Sequence, residues 1–239
     1  MAIISFIINS DISLEFAKQI QNNNNFEIHG LTVDNSLDSK LKDSKIFTKI
    51  HKKLNSLASH DIIFIDCMVK YRNEIIQTLI KNNDKKLLIV DFTPAKSKAI
   101  EWANENLNNN ISYVSAFLVS NINIQYSKSE NLFEDQKCLL MPGHNIDDSY
   151  YKILIQIIES IEMKPYFIEP QEFDSYYAAT TLIPKLISFS LIKKIESSSS
   201  WTEMSNLANE EFSNLTIGST TDAEDIFEIL NSTADLSKH

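Results

Sequence analysis

The side chains able to do acid, base, nucleophilic or ligand chemistry are few in this chain and widely spaced. Of five histidines, His29 falls within a strand pattern and His51 in a lysine-rich stretch of helical periodicity. His60 precedes an apolar run, His144 follows Pro142-Gly143, and His239 ends the chain. None has the serine, cysteine or carboxylate spacing of a proton relay, and His60 and His144 read as surface residues. The two cysteines, Cys67 and Cys138, sit inside IIFIDCMV and KCLLM. That setting predicts buried thiols rather than a disulfide framework or a metal cluster, and no metal is expected. Arg72 is the sole arginine, so planar guanidinium recognition of a carboxylate is available at one position. Lys96, after a strand end, and Lys185, in an apolar helix, are the candidates for holding an anionic ligand. Only three glycines occur, Gly30, Gly143 and Gly218, against roughly seventeen at average usage. Loops that need a close backbone approach to phosphate are therefore almost without supply.

The elements that must position these groups alternate. A continuous apolar run at 3–8 predicts a strand, and apolar residues at helical spacing over 12–20 predict a helix. The unit recurs with strands at 26–33, 61–67, 87–91 and 111–117. The helices between them are predicted at 46–57, at 72–80 and from Pro94 onward. Such alternation implies an α/β fold with a Rossmann-like, doubly wound, mostly parallel sheet, its ligands beyond the carboxyl ends of the strands. A further apolar run at 137–141, a helix at 150–161 and an edge strand at 165–168 complete a first domain, 1–169. From 170 to 239 the pattern is helical only. The stretch 176–195 is apolar on most sides, which predicts a dimer core, and Pro184 should interrupt its helix. Helices are also expected at 201–212 and 222–230.

Composition bounds the function. The 239 residues are 43% hydrophobic, 10% aromatic and 23% charged, as in a soluble globular protein. The net charge of −10 argues against nucleic acid or an anionic membrane as partner. Most of that charge lies after residue 195, where nine acidic residues face one lysine. No apolar run approaches the roughly 18 residues of a membrane helix and no charged leader precedes the start, so a cytoplasmic location is expected.

Several segments, in order, resemble the prephenate and arogenate dehydrogenases of tyrosine biosynthesis. They are HDIIFIDCMV, LLIVDFTPAKSKAIEWANENL, NLFEDQKCLLMPG, EPQEFDSYYAATTLIPKLISFSL and DAEDIFEILNS. The resemblance covers nearly the whole chain. It implies an amino-terminal nucleotide-binding domain, a carboxy-terminal helical dimerisation domain and NAD(P)-dependent oxidation.

The positions that would carry that chemistry depart from the family's pattern. Where the family has GxGxxG after its first strand, whose backbone N–H groups and helix dipole meet a pyrophosphate, this chain reads INSDISLEF. Ser10 and Ser13 could donate hydrogen bonds there, but Asp11 brings the wrong charge. The family's ribose-binding acid position falls on Thr32, with Asp34 as a substitute. Asp91 and Lys96 match the family's aspartate-serine-lysine segment, but Pro94 stands at the serine. Phe117 stands where the resemblance implies a histidine base, Leu182 and Lys185 replace two histidines around a proline, and LANEEFSNLT lacks the glycines and the arginine, with Ser213 instead. No catalytic residue is assigned. Ser10, Ser13, Asp34 and Asp91 are the cofactor-side candidates, and Lys96, Ser115, Thr181 and Lys185 the ligand-side candidates.

The expected function is a non-catalytic relative, dimeric through its carboxy-terminal helices, acting as a binding, regulatory or partner subunit, with an intact family member as a candidate partner. No cofactor is then expected. The alternative is an active prephenate or arogenate dehydrogenase using NAD or NADP.

Overall fold

The computed structural model describes residues 3–23, 26–32, 37–81, 83, 85–119, 132–220 and 223–233. The chain divides into two compact units, Met1–Pro170 and Gln171–His239.

The first unit is built on one eight-stranded sheet. In chain order its strands are β1 (Ile3–Ile8), β2 (Glu27–Thr32), β3 (Lys49–Ile50), β4 (Ile62–Ile65), β5 (Leu87–Asp91), β6 (Ile111–Leu118), β7 (Lys137–Pro142) and β8 (Lys164–Phe167). Their spatial order is β3-β2-β1-β4-β5-β6-β7-β8. Strands β1 to β6 are parallel, β7 runs antiparallel to β6, and β8 is parallel to β7. The order reverses between β1 and β4, the switch point where an open α/β sheet leaves a crevice.

Both faces of the sheet are covered, which is why its strands read as continuous apolar runs rather than alternating ones. Alternate residues nevertheless serve opposite faces. Ile4, Phe6 and Ile8 of β1 pack with Phe16, Ala17 and Ile20 of α1 (Asp11–Asn23) and with Leu154, Ile157 and Ile158 of the helix Asp148–Ser160. Ile7, Ile63, Ile65 and Ile89 face the other way, onto Ile75, Ile76 and Leu79 of the helix Val69–Ile80 and onto Ala99 and Ala103 of the helix Lys96–Asn106. In chain order after α1 the helices of this unit are α2 (Asp38–Ser44), α3 (Val69–Ile80), α4 (Lys96–Asn106) and α5 (Asp148–Ser160).

The helix expected at 46–57 does not form. That stretch holds β3 and a single 3₁₀ turn at Leu54–Leu57. Ile46, Phe47 and Ile50 pack on the α1 side of the sheet, whereas Leu54 and Leu57 pack on the α3 side. The apolar spacing thus belongs to a segment that wraps the sheet edge and serves both faces in turn. His51 consequently lies just past β3 rather than on a helix. The expected helix start at Pro94 is also displaced: α4 begins at Lys96, after Ala95 in the left-handed region at φ 64°.

In the second unit α6 (Pro170–Tyr177) runs through a π-helical turn at Ala178–Leu182 into α7 (Ile183–Glu196). Pro184, which has no N–H to donate, sits in the first turn of α7, and the Ile183 N–H reaches back to Ala178 O. The single helix expected at 201–212 is two, α8 (Trp201–Asn206) and α9 (Glu210–Thr216), the second capped by Asn209 Oδ1 accepting from Phe212 N at 3.0 Å. A final helix, α10, spans Ala223–Thr233. No described helix is long and apolar enough to cross a membrane.

Gly30 on β2 has no room for a side chain, because a Cβ there would lie 2.9 Å from the ring of Phe47. Gly30→Ala should therefore cost about 1–3 kcal/mol in urea unfolding, and Phe47→Leu in the same chain should recover part of that loss, a coupling that a double-mutant cycle reads directly.

Candidate functional site

The crevice at the switch point is made by the loop after β1 and the loop after β4. At the first of these, Ser10 Oγ accepts from Ser13 N at 3.3 Å, as a helix N-cap does at the start of α1. The positive end of a helix and its unpaired N–H groups form a ready anion site. Here the two serine hydroxyls at that helix start are bonded to a carboxylate of the protein. Asp66, the residue directly after β4, places Oδ2 at 2.6 Å from Ser10 Oγ, 2.6 Å from Ser13 Oγ and 3.4 Å from Asn9 N. The Asp66 N–H donates to Ile7 O at 2.9 Å, which fixes its loop against the end of β1.

Ser10 and Ser13, the cofactor-side candidates, thus converge, but on Asp66. Asp11, expected to repel phosphate, pairs instead with Lys40 at 2.7 Å on the exposed side of the helix. The carboxylate in the cradle is one that the sequence reading did not single out. Its signal was an acid immediately following a fully buried strand. Asp34 lies outside the described residues.

Further along the carboxyl edge, polar side chains turn inward onto backbone. Asp91 is fully buried, its carboxylate accepting from Thr93 N at 2.8 Å and from Tyr113 Oη at 2.5 Å. Burial, reinforced by the Asp91 charge, pushes the Tyr113 phenol well above its usual range, so it remains a donor. Lys96, expected to hold an anion, is also fully buried. Its ammonium donates to Asp91 O at 3.0 Å, Thr93 O at 2.6 Å and Ala116 O at 2.7 Å. Arg72, the one guanidinium, donates to Ala95 O at 3.3 Å and Pro94 O at 3.5 Å, and to Asn73 Oδ1 at 3.2 Å. Ser115 is fully buried on β6 opposite Asp91. Phe117, half-buried, pairs in register with Leu139 of β7. Cys67, beside Thr93 Oγ1 at 3.6 Å, has its thiol pushed up to about 12 by burial, which removes it as a nucleophile.

The remaining candidates belong to the helical unit. Thr181 is half-buried in the π-helical turn. Burial lowers the Lys185 ammonium from its usual value, and the charge of Asp225 partly offsets this. The Tyr177 phenol is pushed up to about 12 by burial and by the same Asp225.

A doubly wound sheet with its loops gathered at a switch point defines the class of Rossmann-type nucleotide-binding proteins. Within it, the description of the prephenate dehydrogenase nucleotide-binding domain matches residues 16–166, and the chain belongs to that family. The match begins three residues after Ser13, so β1 and the turn into α1 lie outside it. Among solved structures, prephenate dehydrogenase from Aquifex aeolicus in complex with hydroxyphenyl propionate and NAD+ aligns at TM-score 0.81 and 17% identity, over 100% of this chain and 86% of that one. A second structure of the Aquifex aeolicus enzyme gives TM-score 0.75 at 16% identity, over 99% and 85%. Synechocystis arogenate dehydrogenase gives 0.67 at 18% identity, over 100% and 89%. No curated protein matches the sequence significantly.

A lysine that serves only to bind a ligand can be removed with little loss of stability, whereas one that satisfies three buried carbonyls cannot. Lys96→Met should lower stability by about 3 kcal/mol or more in denaturant titration, because Asp91 O, Thr93 O and Ala116 O lose a charged donor.

Proposed function

We propose that the chain is a degenerate member of its family, a dimeric binding or regulatory subunit that does not turn over substrate. The observation that carries this reading is Asp66 on the amino terminus of α1, where the family architecture would seat the dinucleotide pyrophosphate. A nucleotide would have to displace a carboxylate held by two hydroxyls and enter a loop, Asn9 to Asp11, that has no glycine. The residues present do not fit the cofactor. Nor do the neighbouring groups offer substitutes, since Lys96 and Arg72 are spent on carbonyls and Asp91 on Tyr113.

The second reading, an NAD(P)-dependent prephenate or arogenate dehydrogenase, is favoured by the intact sheet order and by the likeness to an enzyme solved with NAD+. Calorimetry separates the two. Titration with NAD+ or NADP+ should give no saturable heat up to about millimolar concentration, and micromolar affinity would return the chain to the enzymes. Restoring a general base is worth about 10² to 10⁴ in rate when all else is in place. Here it is not, so Pro94→Ser combined with Phe117→His should leave prephenate- or arogenate-dependent reduction of NAD(P)+ undetectable.

The same proposal includes a homodimer through the helical unit. Along α7, Ile183, Leu186 and Ile187 are exposed, and Leu207, Leu215 and Phe227 are exposed beyond it. So much uncovered apolar surface on one small unit supports an interface there. Light scattering should give twice the chain mass, and Leu186→Asp should shift it to the monomer because a carboxylate would be buried unpaired. A wild-type mass of one chain at all concentrations would sink this part.

A further inference from the structure

We infer that His29, His51 and His60 form a three-histidine site for a divalent cation of the zinc class, at the β2–β3 edge of the sheet and remote from the crevice. The three come from separate segments: within β2, just past β3, and just before β4. Their ring centroids lie 4.7, 5.0 and 5.4 Å apart. Each offers a nitrogen such that all three nitrogens fall within 4.8 Å of one another, the only such cluster of three among the described residues. The residues themselves are 5%, 8% and 5% exposed.

The contacts around the rings are those that orient metal-ligating histidines. His29 Nε2 lies 2.8 Å from the Glu27 carboxylate, which leaves Nδ1 to face His51 Nε2 at 2.9 Å. His60 Nδ1 is hydrogen-bonded to the Ser5 hydroxyl, which leaves Nε2 as its other nitrogen. A carboxylate or hydroxyl on the far nitrogen fixes the tautomer and raises the basicity of the near one. A metal would replace the proton now shared between His51 Nε2 and His29 Nδ1, because an imidazole ligates through a deprotonated nitrogen.

The charge of a cation would be offset in part. Lys49 acts on His51, while Asp61 and Glu27 act on His60, so a dication would meet two carboxylates in its surroundings. Tetrahedral zinc with Zn–N near 2.0–2.1 Å spaces its ligand nitrogens by roughly 3.3 Å. The His29–His51 pair must therefore open by a few tenths of an ångström and His60 close in, both within the reach of ring rotation. The fourth position is left to water. Three imidazoles are costly to bury together where aliphatic groups would pack as well, and a shared cation compensates that cost. The cation would tie β2, the chain after β3 and the start of β4, the segments that the two-residue β3 holds only weakly. The expectation of no metal rests on the two cysteines lying in apolar runs, whereas this cluster is made of histidines from three separate segments.

The test uses the tag-free full chain after chelation, titrated with Zn²⁺ and separately with Co²⁺. One equivalent should bind with about micromolar affinity or tighter, and the Co²⁺ form should show the intense visible bands of four-coordinate geometry. His51→Ala should weaken Zn²⁺ binding at least ~100-fold and Glu27→Gln ~10-fold, while His144→Ala leaves it unchanged. Millimolar wild-type affinity, a weak six-coordinate Co²⁺ spectrum, or full affinity in His51→Ala would overturn the assignment. The Co²⁺ spectrum is read on the unmodified chain, so it decides the question even where a variant fails to fold.

Discussion

The hydrogen bonds that Ser10 and Ser13 direct at Asp66 join the loop after β1 to the loop after β4 at the one place where the strand order reverses. In an open α/β sheet that crevice is where two loops part and expose the start of a helix. A helix start carries a partial positive charge and spare N–H groups, and it is satisfied by an anion from any source. Asp66 brings such an anion from the end of the adjacent strand without changing the sheet. The architecture of a nucleotide-binding domain is kept, with a carboxylate of the protein hydrogen-bonded to the two serines at the helix start.

The same arrangement extends along the carboxyl edge. Asp91, Tyr113, Lys96 and Arg72 form a buried set in which each charge faces a partner from the backbone or from a neighbouring side chain. Charges in a low-dielectric interior are tolerated only when bonded in this way, and once bonded they are costly to redirect toward a ligand. Ala95 illustrates the constraint. It adopts a left-handed conformation that an alanine enters at a cost of about 1–2 kcal/mol, and its carbonyl is turned to accept from Arg72. The loop between β5 and α4 is thus shaped around the arginine rather than around an open cleft.

How much of this could be read from residues alone follows from the range of the interactions. The strands β1, β4, β5 and β6 were legible because a sheet covered on both faces needs unbroken apolar runs. The segment 46–57 was not, because its helical spacing arises from packing on two faces in succession, which only the edge position of β3 explains. That Phe117 and Pro94 stand where the resemblance implies a histidine and a serine is a matter of local comparison of segments. The role of Asp66 is not, since it depends on a loop more than fifty residues away. Lys96 looked like a ligand-holding group because a lysine after a strand end faces the crevice in many sheets; here Ala116 O on the next strand captures it. His29, His51 and His60 were read one at a time, and their proximity is a product of β2, β3 and β4 lying near one another across the sheet.

The π-helical turn ahead of Pro184 has a geometric effect of its own. One residue more than an α-helical turn requires rotates everything beyond it by about 100° around the helix axis. Side chains on α7 therefore sit about 100° around the axis from where the α6 ladder, continued without the extra residue, would place them, although the helix is continuous.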